Sequence, residues 1–254
     1  MDRSADELGL PEAPEVDGET ASAPPPPPGR VVAGDRTPLD GEPPRVTIRA
    51  PRSGQRFGDA APLRLTVRVR AWALGPAPGN HVHVIVDNEP YIAVHDVSAP
   101  LDLRALVEAS LGRPLGPGRH VVRVFPSRPT HESVKADGAF AMVAFQVGRS
   151  TEGPEIDEDA PLLTYSHPTG CHPPGAPILL DFLVHGVDLE AGEARVRYTI
   201  DGGVEGDITR WVPHTIENLP LGDHRVRLRL VDREGALLPG PFNDTTRVVQ
   251  VGDC

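Results

Sequence analysis

Apolar and polar residues alternate one by one through most of the chain after Arg45, a period that marks strands with one buried and one wet face. The clearest run is 219–235, LPLGDHRVRLRLVDREG. A turn at Leu219, Pro220 and Gly222 opens it, and Val226, Leu228 and Leu230 then alternate with Arg225, Arg227 and Arg229. Asp232 and Gly235 close it with a second turn. The same pattern stands at 115–128, LGPGRHVVRVFPSR, with Val122 and Val124 in the apolar places and His120 where His224 stands. The chain holds two copies of one β-unit.

Other runs fit around these two. Leu63, Leu65, Val67 and Val69 alternate with Arg64, Thr66, Arg68 and Arg70. Val82, Val84 and Val86 lie on the opposite face from His81, His83 and Ile85. Residues 194–200 match that strand, with Val196, Tyr198 and Ile200 in the apolar places and Asp201 for Asp87. Helical spacing occurs once, at 100–111, where Leu103, Leu106, Val107 and Leu111 share a face and Gly112 ends it. Further strands are expected at 46–48, 138–147, 161–165, 178–184, 210–216 and 245–251. The 210–216 strand contains Pro213 and is expected at an edge.

Composition changes this picture at the ends and the middle. The 254 residues include 30 prolines and 26 glycines, which suits short strands between frequent turns. Residues 1–44 carry 10 acids and 3 bases, and residues 149–160 carry 5 acids and 1 base, so these two segments hold the whole net charge of −11. The first, with prolines from Pro24 to Pro28, reads as a disordered acidic, proline-rich tail, serving as a spacer or as a ligand for a proline-recognising domain. The second reads as an acidic linker between domain 1 (45–148) and domain 2 (161–254). The domains come to +5 and −5. A weak, salt-sensitive contact between them is expected, unless Ile85, Val121 and Phe125 give an apolar interface. A neutral folded part gives no basis for a nucleic-acid partner, and a monomer is expected. No apolar run approaches the ~20 residues of a membrane span, and MDRSADELGL has no signal-peptide core. Lys135, the only lysine, is assigned no function.

Residues 209–235, TRWVPHTIENLPLGDHRVRLRLVDREG, resemble the later half of bacterial fibronectin type III or immunoglobulin-like modules. Those carry an aromatic near an edge strand, then Leu-x-x-Gly-x-His or Tyr, alternating apolar residues, and Asp and Gly. The resemblance covers the last two-thirds of domain 2. Domain 1 fits more loosely, having the 100–111 helix and no aromatic matching Trp211. GNHVHVIVDN with LGPGRH also resembles small bacterial periplasmic β-domains. The resemblance implies an all-β chain of two tandem sandwiches of about seven strands, behind the tail. It implies no chemistry.

Candidate chemistry is sparse. There is no phosphate-binding loop, no H-E-x-x-H, no G-x-S-x-G and no C-x-x-C, so no catalytic residue is assigned. His81 and His83 project from one strand face, roughly 7 Å apart by strand rise. With His131 they form a candidate zinc or copper site. Arg195 and Arg197 occupy the matching places in domain 2, which favours a solvent-facing role for His81 and His83. The match of His120 with His224 favours a hydrogen bond at the turn. His95 is a further histidine of this domain. Arg195, Arg197, Arg225, Arg227 and Arg229 are expected on one outer sheet face, offset by acids of this chain, by domain 1 or by an anionic ligand. Asn243-Asp244-Thr245 fits the N-glycosylation triplet. Cys171 and Cys254 fall at one end of such a sandwich, as a disulfide or as two free thiols. The function expected is a non-catalytic, extracytoplasmic binding or spacer protein with a protein or glycan partner, such as the soluble part of a bacterial surface or periplasmic lipoprotein. The alternatives are a periplasmic zinc- or copper-binding protein using His81 and His83, and accessory domains of a larger glycan-active enzyme.

Overall fold

A computed structural model describes residues 29–254, so the proline run lies outside the described residues. The first strand, β1 (Arg30–Ala33), falls in the segment expected to be tail and departs from that expectation. Domain 1 then runs through β2 (Arg45–Ala50), β3 (Gln55–Phe57), β4 (Arg64–Arg70), β5 (His81–Val86), β6 (Ile92–Val94), β7 (Leu101–Asp102), α1 (Leu103–Leu111), β8 (Gly118–Ser127) and β9 (Ala141–Val147). Two sheets, β2-β4-β7 and β3-β9-β8-β5-β6, enclose Leu65, Val82, Val84, Val122, Val124 and Phe145. The helix starts later than its spacing predicts because Leu101 and Asp102 pair with β4. Asp102 caps it by accepting from the Ala105 N–H, and Gly112 ends it in a left-handed conformation.

Domain 2 comprises β10 (Leu162–His167), β11 (Gly170–His172), β12 (Ile178–His185), β13 (Ala194–Ile200), β14 (Val204–Ile208), β15 (His214–Glu217), β16 (Gly222–Asp232) and β17 (Asp244–Val251). One sheet is β11-β17-β16-β13-β14, in the same relative order as the five-stranded sheet of domain 1. The other is β1-β15-β12-β10, the four-stranded A-B-E-D order of an immunoglobulin sandwich, with β1 in the place of strand D. Both domains are immunoglobulin and fibronectin type III-like sandwiches. β1 pairs antiparallel with β15 from Arg30↔Glu217 to Ala33↔His214, and Val31 packs on the domain 2 core. Residues 29–44 therefore belong to the folded body. Arg128 fastens them by donating to the carbonyls of Thr37 and Pro38.

The repeated His–turn is a structural device in both copies. The Nδ1 atoms of His120 and His224 meet Asp87 and Asp201 at 2.9 and 2.6 Å, while their Nε2 atoms meet the carbonyls of Gly116 and Pro220. The second oxygen of each aspartate accepts the N–H of Val121 or Arg225. Each histidine thus ties its strand to the turn after the neighbouring strand.

The domains meet through more than charge. The outer face of β5-β8-β9 lies on the outer face of β10 and β12. Ile85 and Phe125 pack with Leu183, and Val121 packs with Leu162 and Phe242. Fully buried Arg123 donates to the Leu163 carbonyl and Thr164 Oγ1 and covers the Phe242 ring at 4.3 Å. Burial lowers its pKa to about 9, with Arg247 adding to the shift, so it is still charged at neutral pH. Lys135, the single lysine, forms a buried ion pair across the boundary with Asp181. This interface is apolar and hydrogen-bonded, which overturns the expectation of a weak, salt-sensitive contact.

The linker is part of the interface. The Arg119 N–H donates to the Glu152 carbonyl, Glu158 accepts from the Ala144 N–H, and His185 meets the Glu158 carbonyl. Gly153 is required at its place. Its φ is +104°, and a β-carbon there would stand 2.2 Å from the Arg119 carbonyl oxygen. Cys171 is bonded to Cys254, 83 residues away, joining β11 to the end of the chain beyond β17. Among the described residues no helix is long and apolar enough to cross a membrane.

Candidate metal centre

Alternation along β5 sends Val82, Val84 and Val86 into the domain 1 core, and His81 and His83 to the other side. That side is where domain 2 lies, and all six residues of the strand are buried. His81 is 1% exposed and His83 is fully buried, so neither is solvent-facing. The inference from Arg195 and Arg197 fails for a physical reason. The matching face of domain 2 is open, whereas this face of domain 1 is covered.

The third histidine comes from a neighbouring turn. His81 pairs with Ser127 at the end of β8, and the chain then reverses so that Ser127 bridges to Ser133. The His131 N–H donates to the Arg128 carbonyl, and His131 takes a left-handed backbone with φ of 64°. A residue with a β-carbon there costs about 1–2 kcal/mol, strain of the kind often held at functional sites.

These elements bring the rings together. His83 Nε2 is 3.0 Å from His81 Nε2 and 3.4 Å from His131 Nδ1. The ligating atoms of His81, His83 and His131 all lie within 4.8 Å of one another. Tetrahedral zinc with bonds of 2.0–2.1 Å spaces its nitrogens about 3.3 Å apart, so the observed separations suit one ion. A backbone carbonyl sets the tautomer of His81. His81 Nδ1 meets the Gly79 carbonyl at 3.0 Å, and a carbonyl only accepts, so Nδ1 carries the proton and Nε2 presents its lone pair. His83 Nδ1 meets Ser166 Oγ at 3.2 Å, and because a hydroxyl both donates and accepts, this contact is compatible with either tautomer of His83. Without an ion, His83 Nε2–H can donate to the His81 Nε2 lone pair across 3.0 Å; with the His83 proton on Nδ1, toward Ser166, both Nε2 lone pairs are free for a shared cation.

Electrostatics keep the imidazoles neutral, as metal ligation requires. Burial pushes His83 well below its ordinary value, and the neighbouring histidines push it further. His81 and His131 are lowered too, chiefly by burial. Tyr91 stacks on His83 at 3.7 Å and Phe125 meets it edge-on at 5.3 Å, fixing the ring plane.

The other histidines of domain 1 lie outside this group. His95 stands 4.9 Å from His81 between ring centroids, with Nδ1 on the Gly75 carbonyl, outside the close group. His120 is held in its turn and takes no part. Ser166 and His167 come from β10 of domain 2, and a reading of domain 1 by itself passes over both. Their sequence signal is faint: Leu162, Thr164 and Ser166 alternate with Leu163 and Tyr165, placing polar groups on a face that is buried. His167 is 7% exposed, and neither ring nitrogen has a hydrogen-bond partner among the described residues. Such a buried orphan costs about 1–3 kcal/mol. Burial lowers its pKa to about 4, partly opposed by Asp181.

The arginine face of domain 2 forms as its alternation predicts, and three of its five arginines are offset by acids of the same domain. Arg197 lies directly across from Arg229, and Asp207 of β14 pairs with both Arg195 and Arg197. Arg227 pairs with Asp244 of β17, and Arg225 stands opposite Val248. Asp244 therefore serves an ion pair within the glycosylation triplet.

No protein-family model matches the chain, and no curated protein matches it. Among solved structures it is similar to the fibronectin(III)-like modules of Clostridium thermocellum CbhA, at 14% identity over 81% of this chain and 93% of that one, with a TM-score of 0.29. It is also similar to Bacteroides ovatus SGBP-B of a mixed-linkage glucan utilization locus, solved with a mixed-linkage heptasaccharide, at 12% identity over 84% of this chain and 71% of that one, with a TM-score of 0.25. The strand order described above, and not these likenesses, carries the architecture.

Proposed function

We propose that the chain is a non-catalytic, extracytoplasmic protein whose first sandwich holds one transition-metal ion, zinc or copper, on His81, His83 and His131. The observation that carries this reading is the convergence of three neutral imidazoles, with the nitrogens of His83 and its two neighbours 3.0 and 3.4 Å apart. An all-imidazole donor set suits zinc and copper better than magnesium or calcium, which take oxygen. His81 and His83 are buried and Tyr91 covers one ring, which is the character of a binding site closed to substrate. The Cys171–Cys254 disulfide supports an oxidising compartment.

Calorimetric titration of metal-stripped protein with zinc, and separately with copper, tests this reading. One ion per chain is expected, and His81→Ala with His83→Ala removes binding. Unchanged affinity in the double variant overturns it.

A further inference from the structure

His81, His83 and His131 all belong to domain 1, yet their surroundings do not. The hydroxyl that engages His83 Nδ1 is Ser166 of domain 2, and the next ring is His167 of the same strand. Resting on the metal-binding reading, we propose that His167 is the fourth ligand and that the ion fastens domain 2 to domain 1.

Three observations point there. Both nitrogens of His167 are buried and without a partner among the described residues, so the ring gives up no hydrogen bond to them on turning to an ion. Its centroid lies 5.5 Å from that of His131 and 6.1 Å from that of His83. The three close histidines stand 4.9 to 5.7 Å from one another, so His167 occupies the adjoining place in the same ring of imidazoles. Lastly, Ser166 and His167 are consecutive, so docking of β10 delivers the group that fixes His83 and the fourth imidazole together.

His167 stands outside the group whose ligating atoms lie within 4.8 Å, so its engagement requires the ring to move inward. The consequence is linkage. Docked domains offer four imidazoles and separated domains offer three, so an ion that binds the docked form more tightly stabilises docking by that same factor. The linker at 149–160 is held by contacts to both sides and reports on docking.

Two measurements on the full chain test this. Zinc affinity is measured for the wild-type protein and His167→Ala, with Co(II) as a spectroscopic probe of coordination number. Hydrogen exchange of 149–160 is then followed with zinc and with chelator. At least a tenfold loss of affinity in His167→Ala is expected, with a weakened Co(II) visible band. Zinc should slow exchange of the linker in the wild type and not in the variant. Equal affinity and equal linker protection in both proteins overturn the role of His167 while leaving the three-histidine site intact. A wild-type chain that binds neither zinc nor copper overturns the site itself, and this inference with it. Should His167→Ala fail to fold, His167→Gln, which keeps a polar side chain of similar length, takes its place with the same criteria.

Discussion

Asp181→Asn isolates the buried charge pair between the domains. Asp181 is fully buried, Lys135 is 5% exposed, and their side chains form an ion pair from opposite sides of the boundary. Lys135 also donates to Ser133 Oγ at 2.9 Å, and Asp181 accepts the Ser133 N–H at 3.2 Å. Asparagine keeps the shape and one oxygen but removes the anion, leaving an ammonium inside the protein. Breaking one side of such a pair costs about 3–5 kcal/mol. Replacing both partners with apolar groups, Lys135→Met with Asp181→Leu, leaves no buried charge. Its cost is expected to come mainly from the orphaned Ser133 N–H, about 1–3 kcal/mol, below that of the single change. Urea unfolding of the three proteins, followed by tryptophan fluorescence, measures the differences. Salt adds a second test, because a pair shielded from water loses little to screening. A cost below about 1 kcal/mol for Asp181→Asn, of the size seen for surface pairs, refutes the reasoning.

Three further outcomes follow from the same structure. His224 is raised above its ordinary value: burial alone lowers it, but the hydrogen bonds to Asp201 and the Pro220 carbonyl outweigh that, while the same bond and the Arg225 N–H lower Asp201 against burial. The histidine's contribution is full below about pH 6.5 and fades as pH rises through its folded value, while the aspartate's holds above about pH 3.9 and fades below. The stability gap between wild type and His224→Phe should therefore be widest between those values, and a gap that grows above pH 7 contradicts it. Cys171→Ser with Cys254→Ser opens a link across 83 residues and should cost about 2–5 kcal/mol in denaturant, an unchanged midpoint being the contrary result. Deleting residues 1–34 removes β1 and bares the edge of β15, so the shortened chain should be less stable and self-associate, as sedimentation can show; a stable monomer would show that β1 is dispensable.

Strands came through in the alternation because turns and apolar periods are local. The turn hydrogen bond of His120 and His224 was legible for the same reason, since both sit at matching places in matching strands, while their aspartate partners appear only in the fold. The alternation does not fix which face is covered by the other domain, although Ile85, Val121 and Phe125 stood out as apolar outer positions. Arg195 and Arg197 suggested an open face for His81 and His83, and only the packing of β10 and β12 on β5 and β8 reverses that. β1 was hidden because four residues, RVVA, in acidic proline-rich surroundings carry almost no period, and their partner β15 lies some 180 residues onward. His167 was hidden by distance in the chain, 84 residues from the His83 it adjoins.

X-ray absorption of the protein loaded with zinc or copper tests the metal centre most directly. A first shell of nitrogen at about 2.0–2.1 Å is expected for zinc, with the outer scattering of at least three imidazoles. His81→Ala with His83→Ala should erase it. A first shell of oxygen without imidazole scattering, or a spectrum unchanged in the double variant, contradicts the account.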